Sequence, residues 1–400
     1  MKQLIAKSLI LAAILLMDLL AGMEFDLFAP SFPELQQQFN LTPFWVEALL
    51  SVNFIGYFLS LFAVGSLADR YGRKPIIVLG LVIFILGSIM CLYSPSYAVL
   101  LIGRFFQGVG VAAPAILSFL IIADIYPLKQ QQSLYAVLNG VMNAAVGIAP
   151  VLGSYISLYF HWQGNFVALL LLGVATLLMT IPFIPTAKAA DHKEPFSLKE
   201  YLPIFKSKPL LLIMLHFVFA YTPYWIFVGM SPLLYMEELG VSLAYFGYYQ
   251  GALALLFAVG TLLSTMLVNR FDQKKMLRIS LCLEWGSLLS IAVITFSNST
   301  NPLFITLSML PYIVAGIIPN ILLYPICLNF MPQAKGRVSA ALRGTHLVCT
   351  AISLQLAGYV YSGSFKSIGL LMIVFVFLGA LMLGWALKNA ELMSFLEKKE

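Results

Sequence analysis

The sequence predicts an all-α membrane protein of twelve spanning helices, arranged as two six-helix bundles. Three observations predict it. Of 400 residues, 61% are hydrophobic and only 10% charged, where a soluble protein carries about 25% charged residues. Apolar runs of about 20 residues, each long enough to cross a bilayer, recur along the whole chain. The longest polar interruption, T-A-K-A-A-D-H-K-E-P-F-S-L-K-E-Y from Thr186 to Tyr201, falls near the middle.

Before that interruption, hydropathy predicts spans at about 4–30, 45–66, 75–93, 97–122, 134–158 and 165–185. After it, spans are predicted at about 209–235, 243–268, 276–297, 302–328, 338–361 and 367–387. The chain then reads as an N-terminal bundle over residues 1–186 and a cytoplasmic linker over 187–208 with a short surface helix. A C-terminal bundle over 209–388 and a cytoplasmic tail over 389–400 complete it. Lys2 and Lys7 precede the first run as in a signal peptide. That run is long, contains acids and is followed by further spans, so it reads as a retained first helix.

Arg70, Arg73, Lys74, Lys129, Arg270, Lys274, Lys275, Lys335, Arg337 and the linker and tail lysines fall on one side of the predicted topology. Only Lys366 falls on the other side. The positive-inside rule places both termini in the cytoplasm, and a bacterial inner membrane is the expected location. The net charge of +6 is spread over short loops, which excludes a nucleic-acid-binding patch. Cys91, Cys282, Cys327 and Cys349 have neither metal-site nor disulfide spacing. No metal and no cofactor is expected. The phosphate-binding loop G-x-x-x-x-G-K-[ST] is absent, as are H-E-x-x-H and G-x-S-x-G. These absences weigh against direct ATP coupling and against a common intramembrane hydrolase, and the chain is not expected to be an enzyme.

The first span carries three acids, Asp18, Glu24 and Asp26. A carboxylate at bilayer depth costs at least ~2.5–3.5 kcal/mol, so such groups face a bundle interior or a water path. At about 100° per residue, Asp26 lies about 80° round an unbroken helix from Asp18, and Glu24 about 160° from Asp26. Asp18 and Asp26 share a face. Glu24 points to a neighbouring helix or the outer interface. Arg104, inside the fourth span, needs a carboxylate or a polar cavity. Asp26 lies about 12 Å outward of its helix centre and Arg104 about 8 Å outward of its own, at about 1.5 Å per residue. These depths make Asp26 the expected partner of Arg104. Glu284, in the ninth span, is the other intramembrane acid, read as a structural or coupling residue. Aromatic faces suit flat apolar or cationic ligands. Tyr57, Tyr221, Trp225, Tyr249 and Tyr324 are the candidates for a ligand cavity, with Asp18 and Asn139.

Four motifs add a family. G-S-L-A-D-R-Y-G-R-K-P, Gly65 to Pro75, closely resembles the signature loop of the major facilitator superfamily, with Gly65, Asp69, Arg70, Gly72, Arg73 and Lys74 at its key positions. L-I-G-R-F-F-Q-G, with Arg104 and Gly108, resembles that superfamily's fourth-helix motif. V-G-I-A-P-V-L-G-S resembles the antiporter motif of proton-driven drug exporters around Pro150 and Gly153, with Ala149 and Ser154 where glycines are usual. D-L-F-A-P-S-F-P, Asp26 to Pro33, and H-W-Q-G-N-F, from His161, resemble segments of bicyclomycin-resistance-type exporters. The resemblance covers most of the N-terminal half. The C-terminal half matches in span pattern, with N-R-F-D-Q-K-K an echo of the Gly65 loop.

The resemblance implies two bundles around a central cavity that opens alternately to each side. It implies a proton-coupled antiporter exporting small amphipathic or apolar molecules, and a monomer in the bilayer. Asp18, Asp26 and Arg104 would couple protons, the cavity residues above would meet substrate, and the glycine-rich motifs would serve the conformational change. A dedicated transporter of one metabolite, such as a siderophore, sugar or amino-acid derivative, is the alternative. A membrane enzyme or sensor on the same fold has no supporting constellation.

Overall fold

A computed structural model describes residues 2–186, 198–268, 270–331 and 334–394. No strand occurs among the described residues, and helix dominates. The chain forms two compact units. The first comprises Met1–Phe196 with Leu243–Gly251, the second Ser197–Ser242 with Ala252–Glu400. The predicted linker helix falls partly on residues 187–197, and the end of the tail on 395–400, outside the described residues.

In the first unit, α1 (Lys2–Met23) stops well short of the predicted end at residue 30. Its continuation turns through Glu24–Phe28 into a 3-10 turn at Ala29–Ser31 and then α2 (Phe32–Phe39). Pro30 and Pro33 sit in the first turns of these two elements, where a missing N–H is harmless. α3 (Pro43–Tyr71) meets α4 (Arg73–Leu92) at the single residue Gly72. Its φ of 92° is open to glycine and strained for a residue with Cβ. α5 (Tyr97–Ile125) packs on α3 and α4, and α1 packs on α6.

α6 (Leu128–Phe183) joins the predicted fifth and sixth spans. The expected connecting loop shrinks to one non-helical residue, His161, at φ 57° and ψ −174°. Glu34 of α2 secures that break. Its Oε2 accepts the Trp162 backbone N–H at 2.9 Å, and its Oε1 lies 2.9 Å from His161 Nδ1. A carboxylate at a helix start satisfies an orphan donor and complements the helix dipole. The Trp162 indole donates to Gln38 on the same short helix.

The second unit begins with a 3-10 turn, Leu198–Tyr201, and α7 (Leu202–Lys206). α8 (Lys208–Pro232) runs on through a π-helical turn, Leu233–Glu238. α9 (Leu243–Val268) opens inside the first unit and continues in the second. α10 (Gln273–Ser297), α11 (Pro302–Phe330), α12 (Lys335–Val360), α13 (Phe365–Lys388) and the short α14 (Ala390–Ser394) follow. α11 stays one helix through Pro311, Pro319 and Pro325. α8 packs against α12 and α13, and α10 against α11 and α13. Leu210, Met214, Leu323, Leu342 and Leu383 form part of one buried cluster at this unit's core.

Among the described residues, nine helices are long and apolar enough to cross a membrane. One, Val137–Phe183, has 47 residues. That is about 70 Å of helix at about 1.5 Å per residue, more than twice a bilayer core of about 30 Å. The break at His161 divides it into two crossings. With α1 and α12, the fold carries the twelve long segments that the sequence predicts.

Candidate functional site

The three acids of the first span reach three different partners. Asp18, still within α1, accepts a hydrogen bond from Ser118 Oγ of α5 at 2.9 Å. Glu24, just past the end of α1, takes Arg104: Nη1 lies 2.8 Å from Oε1, and both side chains are fully buried. Asp26 accepts from the Gln250 side-chain amide at 3.1 Å. Gln250 belongs to the part of α9 that lies in the first unit.

The expected Asp26–Arg104 pair is therefore replaced by Glu24–Arg104. The reason is the early end of α1. Beyond Met23 the backbone no longer advances at the helical angle, so the 100° rule places neither Glu24 nor Asp26. The local signal was Pro30 with Pro33, which suit the first turn of a helix and so mark new helical elements starting there. Glu24 faces the neighbouring helices α3 and α5, one of the two positions the sequence left open to it, and not the outer interface.

A set of neutral groups supports the ion pair. Asn53 Nδ2 donates to Glu24 Oε1 at 2.6 Å and to the Arg104 carbonyl at 3.0 Å. Arg104 Nη1 also donates to Gln107 Oε1 at 2.6 Å, and Gln107 Nε2 donates to Ser88 Oγ at 2.8 Å. Arg104 lies over the Phe28 ring, its guanidinium carbon 4.0 Å from the centroid. Taking an ion out of water still costs several kcal/mol after relaxation, and only such additional partners offset it. α3, α4, α5 and the turn after α1 are thus tied together by one charge pair. Asn53, Gln107 and Gln250 were legible only as polar residues inside spans.

Two glycines let these helices come close enough. A Cβ on Gly108 of α5 would run into the Asn53 backbone of α3. A Cβ on Gly153 of α6 would run into the Leu27 backbone. The stretch around Pro150 faces α9 as well, with the Pro150 carbonyl against Gly247. In the signature loop, Gly72 makes the turn, Arg70 lies over the Tyr71 ring, and Arg73 Nε reaches Asp124 Oδ2 of α5 at 3.4 Å. The Asp69 side chain lies outside the described residues. Gly65 makes no close approach, because a Cβ there would meet nothing within 4 Å.

The cavity candidates divide between the units. Asp18, Tyr57, Asn139 and Tyr249 belong to the first. Tyr57 is buried and meets the Phe25 ring. The Asn139 amide donates to Tyr135 O of its own helix at 2.9 Å. Tyr221, Trp225 and Tyr324 belong to the second unit. There Tyr221 stacks on Phe217 and meets the His346 ring, and Tyr324 shares a hydrogen bond with Ser339.

Comparison with known proteins fits this geometry. The family model of the Major Facilitator Superfamily matches residues 14–346. The chain belongs to the Major Facilitator Superfamily. Among this superfamily member's curated relatives is a bicyclomycin resistance protein homolog of Haemophilus influenzae, 27% identical over 66% of the chain and 67% of the relative. Another is the multidrug resistance protein MdtL of Escherichia coli, 30% identical over 54% of the chain. The chain spans about half the length of that relative, 55%. Solved superfamily folds superpose along nearly the whole chain. A D-xylose–proton symporter gives a TM-score of 0.75 at 16% identity, covering 94% of this chain and 96% of that one. A bacterial homolog of the human lysosomal transporter Spinster gives 0.71 at 16% identity, covering 96% and 97%. At such identity these two establish the fold alone.

Proposed function

We propose that the chain is a proton-coupled antiporter that exports small apolar or amphipathic molecules across a bacterial inner membrane by alternating access. The observation that carries the reading is the separation of the buried acids by the charge of their partners. Glu24 is matched by a guanidinium, with both side chains fully buried. Asp26 is matched by a neutral amide, which tolerates either protonation state. Asp26 is therefore the proton carrier, with Asp18, also buried and hydrogen-bonded to a hydroxyl, as the second acid. Arg104 acts through Glu24 as the fixed charge that positions the segment carrying Asp26. The names of the two curated relatives, for bicyclomycin resistance and multidrug resistance, support a broad apolar cargo. The basic loops support cytoplasmic termini for a monomer whose bundles end near residues 186 and 388.

Reconstitution tests this directly. The purified protein in vesicles is given a pH gradient and a panel of amphipathic drugs, siderophores and sugars. Antiport predicts that adding a drug to gradient-free vesicles moves protons in the opposite direction. Movement of one metabolite alone establishes the dedicated transporter instead. Drug movement indifferent to pH removes the coupling.

A further inference from the structure

We propose that Glu284 and His216 form a second proton-binding site, enclosed wholly within the second unit. His216 of α8 and Glu284 of α10 are both buried. His216 Nδ1 lies 3.1 Å from the carbonyl oxygen of Gly379 in α13. A carbonyl only accepts, so Nδ1 carries a hydrogen. The other ring nitrogen, Nε2, faces Glu284 Oε1 at 3.8 Å. Among the described residues Nε2 has no hydrogen-bond partner, and neither has either Glu284 oxygen.

Chemistry then restricts the pair. Without a further proton, a carboxylate would face a nitrogen lone pair with no donor from the described residues to either group. A buried charge left in that condition is strongly unfavourable. One proton on the pair removes the conflict. It makes either a neutral acid beside a neutral imidazole or an imidazolium beside a carboxylate. Both forms have zero net charge, and the proton is taken from water and returned to it without other chemistry.

Among the described residues, the surroundings supply no competing ion. On α11, the Tyr312 hydroxyl donates to the Ala220 carbonyl and accepts the Tyr224 backbone N–H at 3.1 Å, so its hydrogen is committed. On α8, Tyr221 stacks on Phe217, and from α12 the His346 ring meets that of Tyr221. α13 contributes Gly379 and Val376 to the lining, neither of them titratable. Beside the Glu284 carboxyl, Ala220, Tyr312 and Gly316 help enclose a cavity of about 10 Å3, the room that one water needs. The pair stands where α8, α10 and α13 meet. Movement of α10 against α8 would change the proton's hold, so the site can report or bias the state of this unit.

Infrared titration of the purified full-length protein in detergent tests the proposal without any transport. A protonated buried carboxyl gives a C=O stretch distinct from that of a carboxylate. Glu284→Gln is expected to remove one such component, which Asp26→Asn leaves in place. His216→Gln is expected to move its midpoint by about one pH unit or more, tenfold in proton affinity. Glu284→Asp, which keeps the acid, must retain a shifted band, and serves if Glu284→Gln does not fold. An unchanged carboxyl spectrum in the folded Glu284 variant overturns the site, as does a midpoint indifferent to His216→Gln. Because the readout is equilibrium titration, failure of antiport in vesicles leaves this result standing, and the reverse also holds.

Discussion

Asp26 and Gln250 meet through one carboxylate oxygen and one amide nitrogen, 3.1 Å apart, and both residues are buried. Among the described residues, the second oxygen of Asp26 and the amide oxygen of Gln250 have no hydrogen-bond partner. An amide can donate to a carboxylate or, turned over, accept from a carboxylic acid. The pair can therefore serve both protonation states. Asp26→Asn is expected to abolish gradient-driven transport while the protein still elutes as a folded species. Vesicle assays at full drug-coupled activity would remove Asp26 from the proton path.

Arg104→Ala should be a stability mutation first. It leaves Glu24 buried and deprived of its cation, a change that costs about 3–5 kcal/mol. Glu24→Met combined with Arg104→Met should recover much of that loss, because two apolar side chains abandon no charge. Thermal unfolding of both variants in detergent decides it. A double variant as unstable as Arg104→Ala would show that the ion pair itself contributes net stability.

Gly108 and Gly65 should behave oppositely. At Gly108 an added methyl meets the Asn53 backbone, and overpacking of this kind costs about 1–3 kcal/mol. At Gly65 the methyl meets nothing, and alanine in a helix is favoured over glycine by roughly 0.5–1 kcal/mol. Gly108→Ala should lower the unfolding temperature and Gly65→Ala leave it unchanged or raise it. Equal effects would mean that the α3–α5 approach is looser than its geometry.

Asp272 caps α10 from outside the membrane-spanning segment. Its side chain accepts the Lys275 N–H at 3.0 Å, and that bond chiefly holds its carboxyl below the ordinary value of 3.8. A folded-state value below the unfolded one gives stability that is present above the unfolded value and lost as pH falls through the folded one. Asp272→Ala should therefore be slightly less stable than the parent at neutral pH, with the gap closing in acid. A gap that stays constant into acid would contradict the cap.

Much of the fold was legible because spanning helices must be long and apolar. The Gly65–Pro75 loop read as the junction of the second and third spans, and the structure narrows that junction to Gly72, since a one-residue helix junction at positive φ calls for glycine. The partner of Arg104 was not legible. Hydropathy marks that a segment lies in the bilayer but not where its helix ends, and Glu24 and Asp26 stand beyond the end of α1. Two residues of offset were enough to exchange their roles. Gln250 was equally hidden, because the amide that meets Asp26 lies far along the chain and carries no charge to match. His216 and Glu284 are on different helices, and no local spacing connects them.

His161 has a consequence for chain length. It alone separates two helical segments, so the junction has no slack to absorb an insertion or deletion. One added residue would turn the second segment by about 100° relative to the first. Asn165 would then leave Ser31 and Ser157, whose hydroxyls it now joins at 2.8 and 2.7 Å, and Phe166 would leave Phe28. Like the Gly72 junction of α3 and α4, this connection has its register counted to the residue.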